Sequence, residues 1–171
     1  MHLWQEFCSR REPIRGNKVI FKKIELKKHR DAVVEFRKDS FEVSFGDAFG
    51  FDEEEYLYWL SEKIKDFPKG FVLIKEDGKY IGQLELTIRE FEGKEIGYVN
   101  LYYLIPEMRG KGKGKELHNY AMQFFEKNKV NEYHLRVSPT NTAALQFYRK
   151  NGMEVVGPEV GGKVIRMKGY L

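Results

Sequence analysis

The chain has 171 residues, 42% of them hydrophobic and 15% aromatic, with a formal net charge of +4. That length supports one domain with a real core and is short for two, and the mild charge together with the lack of a membrane-length apolar run excludes nucleic acid and bilayer as expected partners. The single cysteine, Cys8, excludes an internal disulfide or a cysteine-based metal cluster and points to a reducing cytoplasm.

Residues 1–16 carry Arg10, Arg11 and Arg15 but no apolar core with a small-residue cleavage site, so they read as an N-terminal extension and not a secretory signal. Residues 17–171 read as the domain. In the extension, Leu3, Trp4 and Phe7 could pack on the body or on a second copy of the chain. Val19, Phe21, Ile24 and Leu26, spaced by lysines, predict a first strand. Asp31 to Lys38 predicts a helix with Ala32, Val33 and Phe36 on one face, and the aromatic, glycine-punctuated segment 40–50 predicts a loop or broken helix. Asp52 is placed to N-cap a helix, with Glu55 as its capping-box partner and Pro68 as its end. Tyr56, Trp59, Leu60, Ile64 and Phe67 recur along it at helical spacing.

Phe71 to Lys75 and Tyr80 to Arg89 predict a hairpin about Asp77-Gly78. After a second turn signal at Glu92-Gly93, Ile96 to Leu104 predicts a strand. Leu117, Tyr120, Ala121, Phe124 and Phe125 mark one face of a helix, and Tyr133, Leu135 and Val137 alternate as a strand. A short helix over Asn141 to Lys150 closes at Asn151-Gly152. Met153 to Val156 and Lys163 to Leu171 complete the chain as strands around Gly161-Gly162. This order of elements is a single mixed α/β domain.

Between the strand ending at Leu104 and the helix starting near Glu116 lies Arg109-Gly110-Lys111-Gly112-Lys113-Gly114-Lys115. Glycines let the backbone turn tightly and approach a ligand, and a helix start presents unpaired N–H groups and a positive dipole end. Strand, glycine loop and helix start together make an anion site, most often for phosphate, which the basic residues reinforce. The plainer alternative is a solvated basic loop. The loop fits neither G-x-x-x-x-G-K-[S/T], since Glu116 follows Lys115, nor G-x-G-x-x-G, since its glycines fall at every second position.

About thirty residues further on stands Asn141-Thr-Ala-Ala144-Leu-Gln-Phe147-Tyr148-Arg-Lys-Asn-Gly152-Met153. Taken alone it is a capped amphipathic helix. The two segments together closely resemble the GNAT superfamily of acyl-coenzyme-A-dependent N-acetyltransferases. The pyrophosphate motif [Q/R]-x-x-G-x-[G/A] is matched by Arg109, Gly112 and Gly114 after Pro106-Glu107-Met108. The downstream signature is matched without a gap by Asn141, Ala144, Phe147, Tyr148, Gly152 and Met153. The order of elements from Val19 to Leu171 also fits.

The resemblance implies a central mixed, mostly antiparallel, twisted sheet flanked by helices, and acetyl-CoA as co-substrate without a metal. It implies that the backbone of Gly110, Lys111, Gly112, Lys113 and Gly114 cradles the pyrophosphate, with Arg109 and Lys115 flanking it. Tyr102, Tyr103 and Leu104 would pair with the pantetheine arm through their backbone, as an added strand, and a backbone N–H there would polarise the thioester carbonyl. Asn141 would bond the pantetheine arm, and Tyr148 would protonate the departing thiolate. An amine would attack the thioester directly, in a ternary complex. The alternative is a non-catalytic acyl-CoA-binding module on the same fold.

Some members place a glutamate five residues before the motif asparagine, where this chain has Arg136, so the base is left unassigned. Glu85 is a candidate, beside its plainer reading as a strand carboxylate, and Asn100 could hold a water. The acceptor would be a small-molecule or peptide amine. Phe41, Phe45, Phe49, Phe51, Tyr56 and Trp59, with Glu42, Asp47 and the acidic run 52–55, would suit a cationic one. The plainer reading makes Tyr56 and Trp59 core and the acidic run a favourable first helical turn. His2, His29, His118 and His134 show no metal-ligand spacing. Family members often dimerise, which leaves a homodimer open.

Overall fold

The computed structural model describes residues 18–171. The extension 1–16, with Cys8, His2 and the Leu3, Trp4 and Phe7 patch, lies outside the described residues.

In chain order the elements are β1 (Ile20–Lys23), α1 (Leu26–Phe45), α2 (Glu53–Asp66), β2 (Phe71–Glu76), β3 (Lys79–Phe91), β4 (Lys94–Leu104), a 3-10 turn (Pro106–Met108), α3 (Gly114–Lys127), β5 (Glu132–Val137), α4 (Thr142–Lys150), β6 (Glu154–Glu159) and β7 (Val164–Tyr170). The strands form one sheet in the order β1-β2-β3-β4-β5-β7-β6, and β4–β5 is its parallel pair. This is the mostly antiparallel mixed sheet expected. No helix among the described residues is long and apolar enough to cross a membrane.

Local chemistry explains most boundaries. Asp52 accepts from the Glu55 N–H at 2.9 Å and starts α2 as predicted. Asp77 and Gly78 (φ 47° and 79°), like Glu92 and Gly93 (φ 50° and 76°), are left-handed residue pairs suited to two-residue hairpin turns. One expectation needs correction. α1 begins at Leu26, earlier than Asp31, and runs through Ser40–Phe45, where a loop or broken helix was expected. No Pro or Gly interrupts 26–45, and Phe41 and Phe45, one turn apart, touch at 4.8 Å. Gly46 (φ 88°) ends the helix, donating its N–H to Glu42 O at 2.7 Å. Leu26 accordingly belongs to α1 and not to the first strand.

The helices divide between the two faces of the sheet. Tyr103 stacks on Phe36 of α1 at 4.8 Å, while its neighbour Tyr102 meets His118 of α3 and Phe147 and Tyr148 of α4. Both interfaces are dry: Val33 and Leu60 on one side, and Ala121 and Phe125 on the other, have no exposed surface.

Two irregularities in β4 set up the site. Glu85 pairs with Leu101 and Leu86 with Val99, so Asn100 bulges out of the ladder. The bulge resets side-chain alternation. Gly97 packs against Phe125 of α3, and Tyr102, an odd number of residues later, still faces α3. The second irregularity is that β4 pairs with β5 only over Gly97–Val99 and Tyr133–Leu135. Beyond that seam the strands part, and 100–104 of β4 have no partner on β5.

Candidate active site

The glycine loop continues the open edge of β4. Gly110 (φ 71°) and Gly112 (φ 79°) sit in the left-handed region, and a Cβ at either would meet nothing within 4 Å. Glycine is therefore required there by backbone conformation and not by neighbours. The backbone N–H groups of 110–115 make no hydrogen bond among the described residues. A run of unpaired amides at the start of α3 is an anion cradle. Gly114 serves differently: a Cβ there would lie 2.9 Å from the Phe147 ring, so its smallness lets α4 close on the loop.

The basic residues of the loop are not equivalent. Arg109 folds back, donating from Nε to Leu104 O at 2.8 Å and from Nη2 to Asp39 Oδ2 at 2.8 Å. Tyr103 donates to the same Asp39 oxygen at 2.7 Å. Arg109 thus ties the end of β4 to α1, and the Leu104 carbonyl is already occupied. Lys113 pairs with the buried Glu76 at 2.5 Å. Lys111 and Lys115 are exposed and pair with no carboxylate among the described residues. Beside the loop, on the α1 face, a groove of about 690 Å³ is lined by Phe36, Asp39, Tyr80, Tyr103 and Glu107 among others. Tyr148 does not line it.

On the opposite face, Tyr148 stands half-buried beside the split, its ring 6.1 Å from Tyr102 and 5.7 Å from Phe147. Its hydroxyl bonds to no protein group among the described residues. Burial pushes its pKa well above the usual phenol value, so it remains an O–H donor at neutral pH. Asn141 caps α4 by accepting from the Ala144 N–H at 3.2 Å. That use of its oxygen leaves the side-chain NH₂ to donate elsewhere.

Glu85 is on the α1 face with no exposed side-chain surface. Its Oε1 accepts from Tyr56 Oη at 2.7 Å and from Gln83 Nε2 at 3.0 Å. Its Oε2 has no hydrogen-bond partner and lies 3.9 Å from Arg37 Nη1. Burial raises its pKa, against the pull of Arg37. Arg37 in turn donates to the carbonyl of the bulged Asn100 at 3.1 Å.

The first residues past the seam are Asn100 on β4 and Arg136 on β5. Around them lies a cationic group that linear reading did not assemble. Arg89 stacks on the Tyr98 ring, 3.8 Å from its centroid, and donates to Asn100 Oδ1. Arg136 and Arg166 are opposed across β5 and β7 and share Glu159, at 2.6 and 2.5 Å. The signal was present as alternation: 87, 89 and 91, and 134 and 136, each point one way once the strands are paired. Five of the aromatic residues expected near the acceptor form a chain from Phe45 through Phe41, Phe51 and Tyr56 to Trp59, which goes on to the core residue Phe71. Phe49, 93% exposed, stands outside that chain. Of the acidic run, Asp52 caps α2 and Glu53 and Glu54 pair with Arg30.

The site thus sets a strand edge left open beside an amide-lined helix start. The sequence profile of the acetyltransferase (GNAT) family matches residues 30–153, and the chain belongs to that family. An uncharacterized N-acetyltransferase from Archaeoglobus fulgidus is 33% identical over 116 residues, which span 65% of this chain and 74% of the relative. Among solved structures, PaiA N-acetyltransferase from Thermoplasma acidophilum in complex with coenzyme A shares the fold with a TM-score of 0.67 at 23% identity, over 90% of this chain and 99% of that one. Naa50 from Arabidopsis thaliana, in complex with the bisubstrate analogue CoA-Ac-MVNAL, gives a TM-score of 0.67 at 16% identity, over 90% and 99%.

Proposed function

We propose that this acetyltransferase moves an acetyl group from acetyl-CoA to a primary amine by direct attack in a ternary complex. The observation that carries the reading is the continuity of the β4–β5 split with the unpaired amides of 110–115. These features fit the coenzyme: the amides suit a pyrophosphate, and the unpaired edge of β4 suits the amide-bearing pantetheine arm. Bound acetyl-CoA supplies the activated acyl thioester. Lys111 and Lys115 add positive charge at the cradle, and the NH₂ of Asn141 donates to the arm. A β4 backbone N–H in the split polarises the carbonyl under attack.

Tyr148 gives its phenolic proton to the leaving sulfur, and burial keeps that proton in place at assay pH. Glu85 is enclosed by Tyr56 and Gln83, and His134 is held between Glu132 and Arg166. With Glu85 enclosed beside Arg37 and His134 held in that pair, the amine gives up its proton to solvent at the open mouth of the split. Glu85 then acts through Arg37, which fixes the carbonyl of the bulge.

Calorimetry with acetyl-CoA, run beside a thiol-release assay over a panel of amines, tests this reading. Micromolar binding with release for one amine class is expected. Binding without release from any amine would leave a coenzyme-binding module on the same fold, and absence of binding would end the site assignment itself.

A further inference from the structure

The arginines beside the split are arranged at a cost that protein contacts relieve only in part. Arg136 and Arg166 face each other directly across β5 and β7, a placement that destabilises a sheet when charges are alike. Glu159 is the one carboxylate they share. Arg166 is buried, and its remaining contacts are His134 at 3.0 Å and the Phe91 and Tyr98 rings. Arg136 keeps 42% of its side-chain surface exposed. Arg89 has no carboxylate at all among the described residues.

The guanidinium of Arg89 is nonetheless fixed. It lies on Tyr98, donates to Asn100 Oδ1, and reaches Thr87 Oγ1 at 3.4 Å. Two of its five N–H donors are so used, and the rest of a planar fork is held in place facing solvent, with no protein acceptor among the described residues. Partial burial, and the nearby Arg136 and Arg166 against the pull of Tyr98, push its pKa down, although the outer edge of the side chain is exposed. The position is specific. Asn100, which orients Arg89, is the first β4 residue beyond the seam, where the open edge begins. The patch lies on the sheet face of Arg37 and Glu85, opposite Tyr148, so an acceptor entering past it would reach the split from the face opposite the proposed proton donor. Of the acidic residues that would have served a cationic acceptor, Asp52 caps α2 and Glu53 and Glu54 pair with Arg30, while Glu42 lines the groove on the α1 face beside Glu35 and Glu107.

We propose that the acceptor amine carries a carboxylate, and that Arg89, with Arg136 beside it, holds that carboxylate at the mouth of the split. This rests on the transferase reading above. Guanidinium and carboxylate match as planar groups, and a stacked arginine is already oriented for a two-point contact.

The test uses matched acceptors: an amino acid, its carboxamide, the amine lacking the carboxyl group, and a phosphate-bearing amine of similar length. Thiol release should favour the amino acid over its amide in kcat/KM by about tenfold or more, the size of a charge-assisted contact. R89Q should bring that ratio close to one, while R89K, keeping the charge without the fork, should retain part of it. A preferred phosphate-bearing amine, or equal or better use of the amide or decarboxylated amine, would overturn the proposal, as would an unchanged ratio in R89Q. Calorimetry with the N-acetyl amino acid, in the presence of coenzyme A, separates the two readings. Binding that R89Q abolishes, without turnover of any amine, supports the carboxylate site and removes the transferase reading. Neither binding nor a carboxylate preference removes the site.

Discussion

Replacing Tyr148 by Phe removes one oxygen from a position where its two effects can be told apart. The hydroxyl bonds to no protein group among the described residues, and the ring contacts with Tyr102 and Phe147 survive the change. Stability should therefore shift by no more than about 0.5 kcal/mol, as for a substitution that breaks no buried contact, or about 2 °C in Tm for a domain of this size. Turnover should fall much further. Proton donation by a placed side chain contributes about 10²–10⁴-fold. Because burial raises the Tyr148 pKa, the phenol parts less readily with its proton and the loss belongs at the low end, about 10²-fold or ~2.7 kcal/mol of barrier. Coenzyme affinity should hold within a few-fold. The raised pKa also means that Tyr148 stays protonated through neutral and mildly alkaline pH, so it gives the kcat profile no falling limb there. The assay is thiol release against pH, with Tm and coenzyme affinity measured on the same preparations. A kcat within threefold of the parent would refute the acid role, and a drop of several degrees in Tm would show that the hydroxyl is structural.

Gly112→Val places a β-branched residue at φ 79°, which costs about 1–2 kcal/mol in a left-handed conformation; calorimetry should find coenzyme binding weakened at least tenfold. Gly97→Val puts a Cβ 2.5 Å from the Phe125 ring and should cost about 1–3 kcal/mol by overpacking, read as a lower midpoint in urea unfolding. Glu159 is held below the usual carboxylate range, by Arg166 first and Arg136 as well. A depressed folded pKa contributes stability above the unfolded value of about 4.5 that is lost as pH falls through the folded one. E159Q should accordingly lower Tm at pH 7, with a deficit that shrinks as pH falls below about 4.5, as thermal unfolding across that range would show.

The coenzyme side of the site is legible in the sequence because it depends on local rules. Gly110 and Gly112 announce left-handed backbone, Asn141 announces a cap, and Asp77-Gly78 announces a hairpin, each from its own few residues. The acceptor side is not local. Arg89, Arg136 and Arg166 come from three strands, and what unites them is the β3–β4–β5–β7 register together with a bulge at Asn100 that no propensity marks. Arg109 shows the same limit from the other direction: as a motif residue it reads as part of the phosphate loop, yet its side chain is spent on Asp39 of α1 and the Leu104 carbonyl. The C-terminal half of α1 was missed because aromatic and glycine content outweighed the simpler fact that nothing before Gly46 could stop the helix.

The seam between β4 and β5 joins two antiparallel halves, β1 to β4 and β5 to β6, by three residue pairs. Mechanically the sheet is two stiff plates on a short hinge, with the open split at the hinge line. Opening or closing the cleft by a small angle strains little besides that seam, whereas either plate resists bending along its long ladders. A ligand strand laid against β4 would then act as a wedge that sets the angle. Amides of the seam should accordingly exchange with solvent sooner than those inside either plate, and coenzyme should slow them more than any others outside the loop.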